Sequence, residues 1–294
     1  MSSSTGSSKA ARWFAHTTFR FWQTLGLHVV PNHYYQPVPD TRRLPESLWQ
    51  ERTTVPGIDL RTAEQLALAQ RLAGFSQEFA DLVKDGTFSL NNPSLGPVDA
   101  SVYYGMLRLK KPKQVIEIGA GFSTKLAVQA LARNKQEGQP GTLTVIEPYP
   151  PAWLNELAGV SKRLTQPVEA VPLETFTALG PGDVLFIDSS HVLKTGSDVQ
   201  YELLQLLPRL ASGVLVHFHD IFIPNEYPRD WLMAKKRFWT EQYGLQAFLA
   251  CNTQFAVRWA GNYLARTNRP VLTAITAQAG PNEQPGSFWI ERIA

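Results

Sequence analysis

The feature that most constrains this chain is an alternation. Short, almost wholly apolar runs at residues 115–118, 143–146, 183–187 and 214–218 are separated by stretches with helical spacing at 124–133, 152–158, 196–210 and 231–249. A strand with one face in water alternates apolar and polar side chains, whereas a strand covered on both faces is apolar throughout. Runs of this kind between helices predict an α/β fold with a parallel sheet sandwiched by helices. A third strand of the series is expected near 164–168, where the apolar signal is weak. Two late strands, 254–259 and 287–292, follow the last long helix and close the sheet. The Pro- and Gly-containing segment between them reads as linkage, not helix.

Upstream of the alternation the pattern loosens. Residues 1–10 are Ser-rich and polar and read as a disordered tail; residues 11–95 read as an N-terminal extension wrapping or capping a main domain at 96–294. Within the extension, 11–60 is rich in Pro and aromatic residues with little periodicity, as expected of an irregular segment ordered by contact. A helix is expected over 62–84 and another over 98–109. Trp13, Phe14, Phe19, Phe21 and Trp22 lie near Arg12 and Arg20, a combination that also suits a membrane surface. Packing onto the main domain is the expectation taken. No apolar run approaches the ~20 residues that cross a bilayer, and no signal-peptide core follows the start. The expectation is a cytoplasmic protein without a membrane or nucleic-acid partner, its self-association left open. A net charge of +3 over 294 residues is small, and the clusters Lys110-Lys111-Pro112-Lys113 and Lys235-Lys236-Arg237 read as solvated surface. The single Cys251 excludes an intrachain disulfide and a cysteine-rich metal site.

An open parallel sheet binds ligands beyond the carboxyl ends of its strands, and four such ends here are polar. The first runs Glu117-Ile118-Gly119-Ala120-Gly121-Phe122-Ser123-Thr124. Glycine there permits backbone angles and a close ligand approach that a Cβ would block, and the helix that follows offers free N–H groups. The third glycine of a dinucleotide fingerprint is missing, since Thr124 stands there. Glu117 lies inside an apolar strand, a costly place for a carboxylate without partners. Glu147 ends the second strand, one βαβ unit downstream, where an acceptor-only carboxylate can take both hydroxyls of a ribose. These features point to an adenosine-containing ligand without separating nicotinamide cofactors from S-adenosylmethionine. The later ends are Asp188-Ser189-Ser190-His191 and His217-Phe218-His219-Asp220. Neighbouring strands lie ~4.8 Å apart, so Asp188, His219 and Asp220 converge on one edge. They form either an oxygen-rich site for Mg²⁺ or Mn²⁺ or a general-base cluster. His217 reads as a core histidine. Tyr227, in a Pro-rich loop beyond the fifth strand, is the substrate-pocket candidate.

The order of these segments, with Ile146-Glu147-Pro148 and Ile187-Asp188-Ser189-Ser190-His191 between the glycine turn and His219-Asp220, resembles a class I S-adenosylmethionine-dependent methyltransferase. It is similar to the bacterial branch with Asp-x-x-His after the fourth strand and His-Asp after the fifth, and the likeness covers most of the chain. The resemblance implies a Rossmann-like, mostly parallel seven-stranded sheet with helices on both faces and a late antiparallel strand. It also implies S-adenosylmethionine bound by Glu117, Gly119, Ala120, Gly121, Ser123 and Glu147. Asp188, His219 and Asp220 occupy the places of metal ligands, and His191, with Asp188, the place of the catalytic base in some sugar and macrolide relatives. The departure is His219, where the metal-dependent enzymes carry Asp or Glu; imidazole is a poorer Mg²⁺ ligand than carboxylate. The implied activity is O-methylation of a small-molecule or sugar hydroxyl. A non-catalytic cofactor-binding scaffold and a nicotinamide oxidoreductase are the alternatives.

Overall fold

The computed structural model describes residues 8–294; residues 1–7, most of the stretch read as a tail, lie outside the described residues. The chain divides into two compact units, one of residues up to 50 with 228–238, the other of residues 51–227 with 239–294.

The small unit begins with α1 (Lys9–Thr24), where Ser8 Oγ accepts the Ala11 N–H at 3.1 Å as an N-cap. This helix occupies a stretch expected to be irregular. Its period was hidden because the aromatic residues fall on more than one face, and only Ala15 is buried. Further on, Asp40 caps a short turn at Thr41–Arg43, and Arg229 pairs with Glu46 at 2.7 Å.

The larger unit holds the sheet. It opens with α2 (Thr62–Ala73) and α3 (Ser76–Lys84), which replace the single helix expected over 62–84. The break comes at Gly74, whose N–H turns back to the Arg71 carbonyl in a tighter turn. Then follow α4 (Pro97–Lys110), β1 (Gln114–Ile118), α5 (Phe122–Gln136), β2 (Thr142–Ile146) and α6 (Ala152–Glu156). Next come β3 (Lys162–Leu164), α7 (Glu174–Thr177), β4 (Val184–Ile187), α8 (Asp198–Tyr201) and β5 (Leu215–Phe218). The helix α8 runs on through a wider π turn at Glu202–Leu206 and a tight turn at Leu207–Arg209.

The helix expected over 231–249 is instead two, α9 (Arg229–Met233) in the small unit and α10 (Glu241–Leu249) in the larger. Ala234 and Lys235 both donate to the Asp230 carbonyl, and Lys236 then takes a left-handed φ of 56°, which ends a helix. The chain closes with β6 (Phe255–Ala260), α11 (Gly261–Thr267), α12 (Pro270–Ile275) and β7 (Phe288–Arg292). The first part of the segment between the last strands is therefore helical, and residues 276–287 form the linkage expected. The Gly261 and Pro270 that suggested linkage are helix starts, a place proline tolerates because its missing N–H has no partner there.

The sheet has seven strands in the order β3-β2-β1-β4-β5-β7-β6. All neighbours pair in parallel except β7, which is antiparallel to both β5 and β6. Every residue of β4 and β5 is buried, so both faces of the central sheet are covered. This is the Rossmann-like, mostly parallel architecture expected, with its one late antiparallel strand. The weak third strand lies at Lys162–Leu164, upstream of the place expected, as a three-residue edge strand with Lys162 in solvent. Its polar composition is what made it hard to see.

Candidate active site

The four polar strand ends are built by one device. Gly119, Glu147, Asp188 and His219 are each the first residue beyond a strand, and each donates its N–H to the last carbonyl of the neighbouring strand. Gly119 reaches Ile146 (2.9 Å), Glu147 Leu164 (3.0 Å), Asp188 Ile118 (3.0 Å) and His219 Ile187 (3.0 Å). The backbone ladder thus carries its register one residue past the sheet and sets these side chains in a row.

The glycine turn sits against that row. Gly119 has φ of 89°, and a Cβ on it would lie 2.2 Å from the Asp188 carbonyl oxygen. Gly121 donates to Thr124 Oγ1 at 3.1 Å, so the residue in place of a third glycine closes the first turn of α5. Glu147 is fixed beside the turn, its Oε2 accepting the Ala120 N–H (3.2 Å) and its Oε1 the Tyr149 N–H (2.8 Å). Each oxygen keeps a lone pair for a ligand. A cleft of about 480 Å³ opens here, lined by Gly119, Glu147, Tyr149, Val168, Asp188 and Lys194 among others. That volume is within the usual range for small-molecule sites. Tyr149, Val168 and Lys194 carried no sequence signal. Glu117 is wholly buried in β1, and neither of its carboxyl oxygens has a hydrogen-bond partner. Burial pushes its carboxyl up to about 8, against the pull of the nearby Ser123 and Thr124 hydroxyls. Ser123 itself is buried at the start of α5.

At the far end of the cleft Asp188 joins a cluster of acids and imidazoles. His191 Nε2 lies 3.3 Å from Asp188 and 3.8 Å from Asp220. His219 Nδ1 lies 3.4 Å from Asp188 and 3.6 Å from Asp220. Asp188, His191 and Asp220 each turn one ligand atom to within 4.8 Å of the others. His191 and Asp220 both hold left-handed φ values, 60° and 58°, in a conformation that non-glycine residues rarely keep without a surrounding that enforces it. Around His191 that surrounding is visible. Its carbonyl accepts the N–H groups of Thr240 and Glu241, and its ring lies 4.2 Å from that of Trp239.

Two further acids complete the cluster, and neither was singled out in the sequence. Glu241, in the first turn of α10, accepts from His191 Nδ1 at 2.7 Å and is almost wholly buried. Asp99, in the first turn of α4, accepts the Gly286 and Ser287 N–H groups at 2.9 Å and faces His219 Nε2 at 3.8 Å. The order Asp99, His219, Asp188, His191, Glu241 is therefore an unbroken alternation of carboxylate and imidazole. Burial alone would strip both rings of their charge, but the acids prevail. His191 is raised well above its ordinary value by Asp188 and Glu241, and His219 is pushed up to about 10 by Asp220 and Asp188. Burial pushes the other way on Asp188, yet His219 and His191 hold its carboxyl well below the usual carboxylate range. Burial raises Asp99 to about 6.

Two sequence candidates lie elsewhere. Tyr227 does not line the cleft: it is 1% exposed, and its hydroxyl accepts the Gln242 N–H at 3.1 Å, because the loop after β5 folds back onto the start of α10. His217 is the core histidine expected. Its Nε2 meets Ser287 Oγ at 2.8 Å, its ring stacks on Trp289, and burial holds it neutral.

Glu241 orients His191, so its replacement has a definite signature. Glu241→Gln is expected to move the His191 titration down toward the ordinary imidazole range, read from its ring-proton NMR signals. Any rate that depends on His191 is expected to fall about 10–100-fold, the usual effect of losing a carboxylate that orients a working histidine. An unmoved His191 titration would remove that role.

Among known proteins, residues 116–221 match the family model described as a methyltransferase domain. An uncharacterised protein of Archaeoglobus fulgidus is 30% identical over 165 residues, 51% of this chain and 72% of that one. Two solved structures align at low identity. One is the O-methyltransferase TomG of Streptomyces achromogenes, involved in tomaymycin synthesis and solved with S-adenosylmethionine (15% identity, 79% of this chain and 90% of that one, TM-score 0.44). The other is the methyltransferase PaMTH1 of Podospora anserina, bound to S-adenosylhomocysteine (16%, 75% and 97%, TM-score 0.41). The matched family segment runs from β1 past Asp220 and so contains the glycine turn, Glu147, Asp188 and His219, on a sheet whose single reversed strand is β7. Residues 116–221 thus belong to the methyltransferase domain family.

Proposed function

We propose that this chain moves the methyl group of S-adenosylmethionine to a hydroxyl of a small molecule or sugar. The observation that carries this reading is the junction of two sites at Asp188. The same residue lines the cofactor-sized cleft and stands between two imidazoles and a second carboxylate.

The cleft fits the cofactor on three counts. Gly119 and Gly121 keep the floor free of side chains, Glu147 offers its spare lone pairs to ribose hydroxyls, and Glu117 is a buried acid with nothing yet to bind. S-adenosylmethionine, when bound, supplies an electrophilic methyl on a sulfonium. The residues then have two tasks, to align an acceptor oxygen with that methyl and to receive the proton the hydroxyl gives up. As the carbon–sulfur bond breaks and the carbon–oxygen bond forms, S-adenosylhomocysteine leaves and the hydroxyl proton passes to His191 Nε2. Asp188 and Glu241, on either side of that ring, stabilise the imidazolium so formed. Because both acids raise its pKa, His191 is free to accept a proton in a larger fraction of molecules as pH rises. The rate is accordingly expected to increase above neutrality.

Asp188, Asp220 and His191 Nε2, with His191 in the place the sequence reading gives His219, also have the donor chemistry to hold Mg²⁺ or Mn²⁺, which would acidify an acceptor hydroxyl. Glu241 would then serve His191 as the carboxylate that commonly fixes a metal-ligating histidine.

Titration calorimetry with S-adenosylmethionine and S-adenosylhomocysteine tests the first half of the reading. Both are expected to bind. Glu117 is held protonated in the free protein at neutral pH, and pairing with the cofactor's ammonium favours its carboxylate. Binding is therefore expected to release protons, seen as an enthalpy that varies with buffer, and Glu117→Gln should abolish that variation. Absence of binding by both compounds, with NAD binding in their place, would sink the assignment. A screen of hydroxylated acceptors with labelled cofactor, with and without EDTA, tests the second half and separates the metal from the base.

A further inference from the structure

The small unit carries a surface that the methyl-transfer chemistry leaves without a use. Trp13, Phe14 and Phe21 on α1 are 69%, 51% and 58% exposed, and Tyr34 and Tyr35 beyond it are more exposed still. These rings are not scattered. At 100° per residue, Phe14 and Phe21 share one side of the helix, Lys9, Arg12, His16 and Arg20 share the opposite flank, and Trp13 lies beside Arg20 where the two meet. Ala15 and Phe19, between the two, face the rest of the unit.

Charge is equally one-sided. The first acidic residue of the whole chain is Asp40, so every fixed charge before it is positive. Asp40 itself is paired with Arg42 at 2.8 Å. The polar groups on the aromatic side are satisfied within the helix. Thr17 Oγ1 donates to the Trp13 carbonyl (2.9 Å), Thr18 Oγ1 to Phe14 (2.7 Å), Thr24 Oγ1 to Phe21 (2.7 Å), and Trp22 Nε1 to Thr18 Oγ1 (3.0 Å). Taking this face out of water therefore strands none of these donors, which is the main cost of moving a polar group into an apolar medium. Beside the helix, Arg12, His16, Arg20 and His33 rim a cleft of about 940 Å³ whose wall includes Phe19 and Val30.

We propose that α1 attaches this protein to an anionic lipid surface. The helix lies in the plane of the interface, Phe14 and Phe21 enter the acyl boundary, Trp13 sits at the water line beside Arg20, and Lys9, Arg12 and Arg20 meet lipid phosphates, with the cleft taking a headgroup. A helix with separated aromatic and cationic faces and low net hydrophobicity is the kind that binds a bilayer without crossing it. No described helix is long and apolar enough to span one. A second copy of the chain fits this face less well. Two such helices would bring like charges together, with no acid before Asp40 to offset them. On the sequence alone, packing is the expectation for this stretch and a membrane surface the other reading; the exposed rings of α1 support the second.

Flotation of the full chain with vesicles tests the proposal. Binding is expected to vesicles of phosphatidylcholine mixed with phosphatidylglycerol, weakly or not at all to phosphatidylcholine alone, and to fall with added salt. Tryptophan emission is expected to shift to the blue on binding, and Trp13→Phe is expected to lose most of that shift, since the chain has seven other tryptophans. Arg12→Glu with Arg20→Glu, and separately Phe14→Ser with Phe21→Ser, should each lower the partition coefficient about tenfold or more. Both pairs lie outside the cofactor cleft, so their melting midpoints and S-adenosylmethionine affinity should match the parent. Equal partition into neutral and anionic vesicles, or none into either, would overturn the proposal. So would sedimentation showing a dimer that Phe14→Ser with Phe21→Ser dissociates in a chain that ignores vesicles.

Discussion

Asp188→Asn lowers the stability of the metal-free chain by about 3 kcal/mol near pH 6 and returns both neighbouring imidazoles toward their ordinary titration range. The reason is the position of this one carboxylate between two cations. His191 and His219 are each within 3.4 Å of it, and both rings are buried. Removing one partner of a buried pair leaves uncompensated charge, which typically costs about 3–5 kcal/mol. The low end applies because Asp188 keeps 32% of its side chain in solvent, where water screens part of the interaction.

The pH dependence has a definite sign. His219 is raised to about 10, so its contribution is full below its unfolded value of ~6.5 and is lost as pH rises through about 10. Asp188 is lowered from 3.8, so its contribution is present above that value and is lost as pH falls below it. The gap between parent and variant is therefore widest from about pH 4 to about pH 6.5 and narrows on both sides. Denaturant midpoints measured across pH in the presence of EDTA, with histidine NMR titrations, check both statements. An equal gap between parent and variant at about pH 5 and about pH 9 would show that the cluster is held by packing and not by charge.

The cluster also shows what a sequence exposes and what it hides. Asp188, His191, His219 and Asp220 were legible because they stand directly after apolar strands, and strand ends in a parallel sheet share one edge. The backbone ladder past each strand is the physical reason the rule worked here. Glu241 and Asp99 were not legible, although they flank the same two imidazoles. Both are acids in the first turn of a helix, where a carboxylate is ordinary for its interaction with the helix dipole. Nothing local separates such an acid from one aimed at a histidine 50 residues away in sequence. The strands β1, β2, β4 and β5 were readable from their apolar runs, whereas β3 was not, because an edge strand of Lys162-Arg163-Leu164 needs no such run. Helices were lost where Gly or Pro sits at a start, as in α11 and α12, and merged where apolar spacing continues across a break, as in α9 and α10. Tyr227 is buried outside the cleft for a different reason. Prolines around it mark a loop, but a loop can turn inward, and this one does.

The two glycines of the first strand end share one turn, yet their substitutions should differ sharply. Gly119→Ala is expected to destabilise the fold by more than about 4 kcal/mol, or to prevent folding, because two independent constraints meet at that residue. Its φ of 89° is strained for any L side chain, and its Cβ would stand 2.2 Å from the Asp188 carbonyl, in backbone that cannot yield without parting β1 from β4. The Asp188 N–H to Ile118 bond would be lost with that parting, and with it the placement of Asp188 between its two imidazoles. Gly121→Ala meets no such obstacle. Its backbone is extended at φ of −160°, and the atom nearest to an added methyl, Ser123 Oγ, is 3.9 Å away. That variant should therefore keep the parent's melting midpoint to within a few degrees, about what a sub-kcal/mol change produces. Any loss of S-adenosylmethionine affinity in it would report ligand approach alone. Thermal melts and cofactor titrations of the two variants side by side separate the roles. A stable, cofactor-binding Gly119→Ala would mean that the turn can relax, and that the tight contact with Asp188 is not what fixes the strand ends.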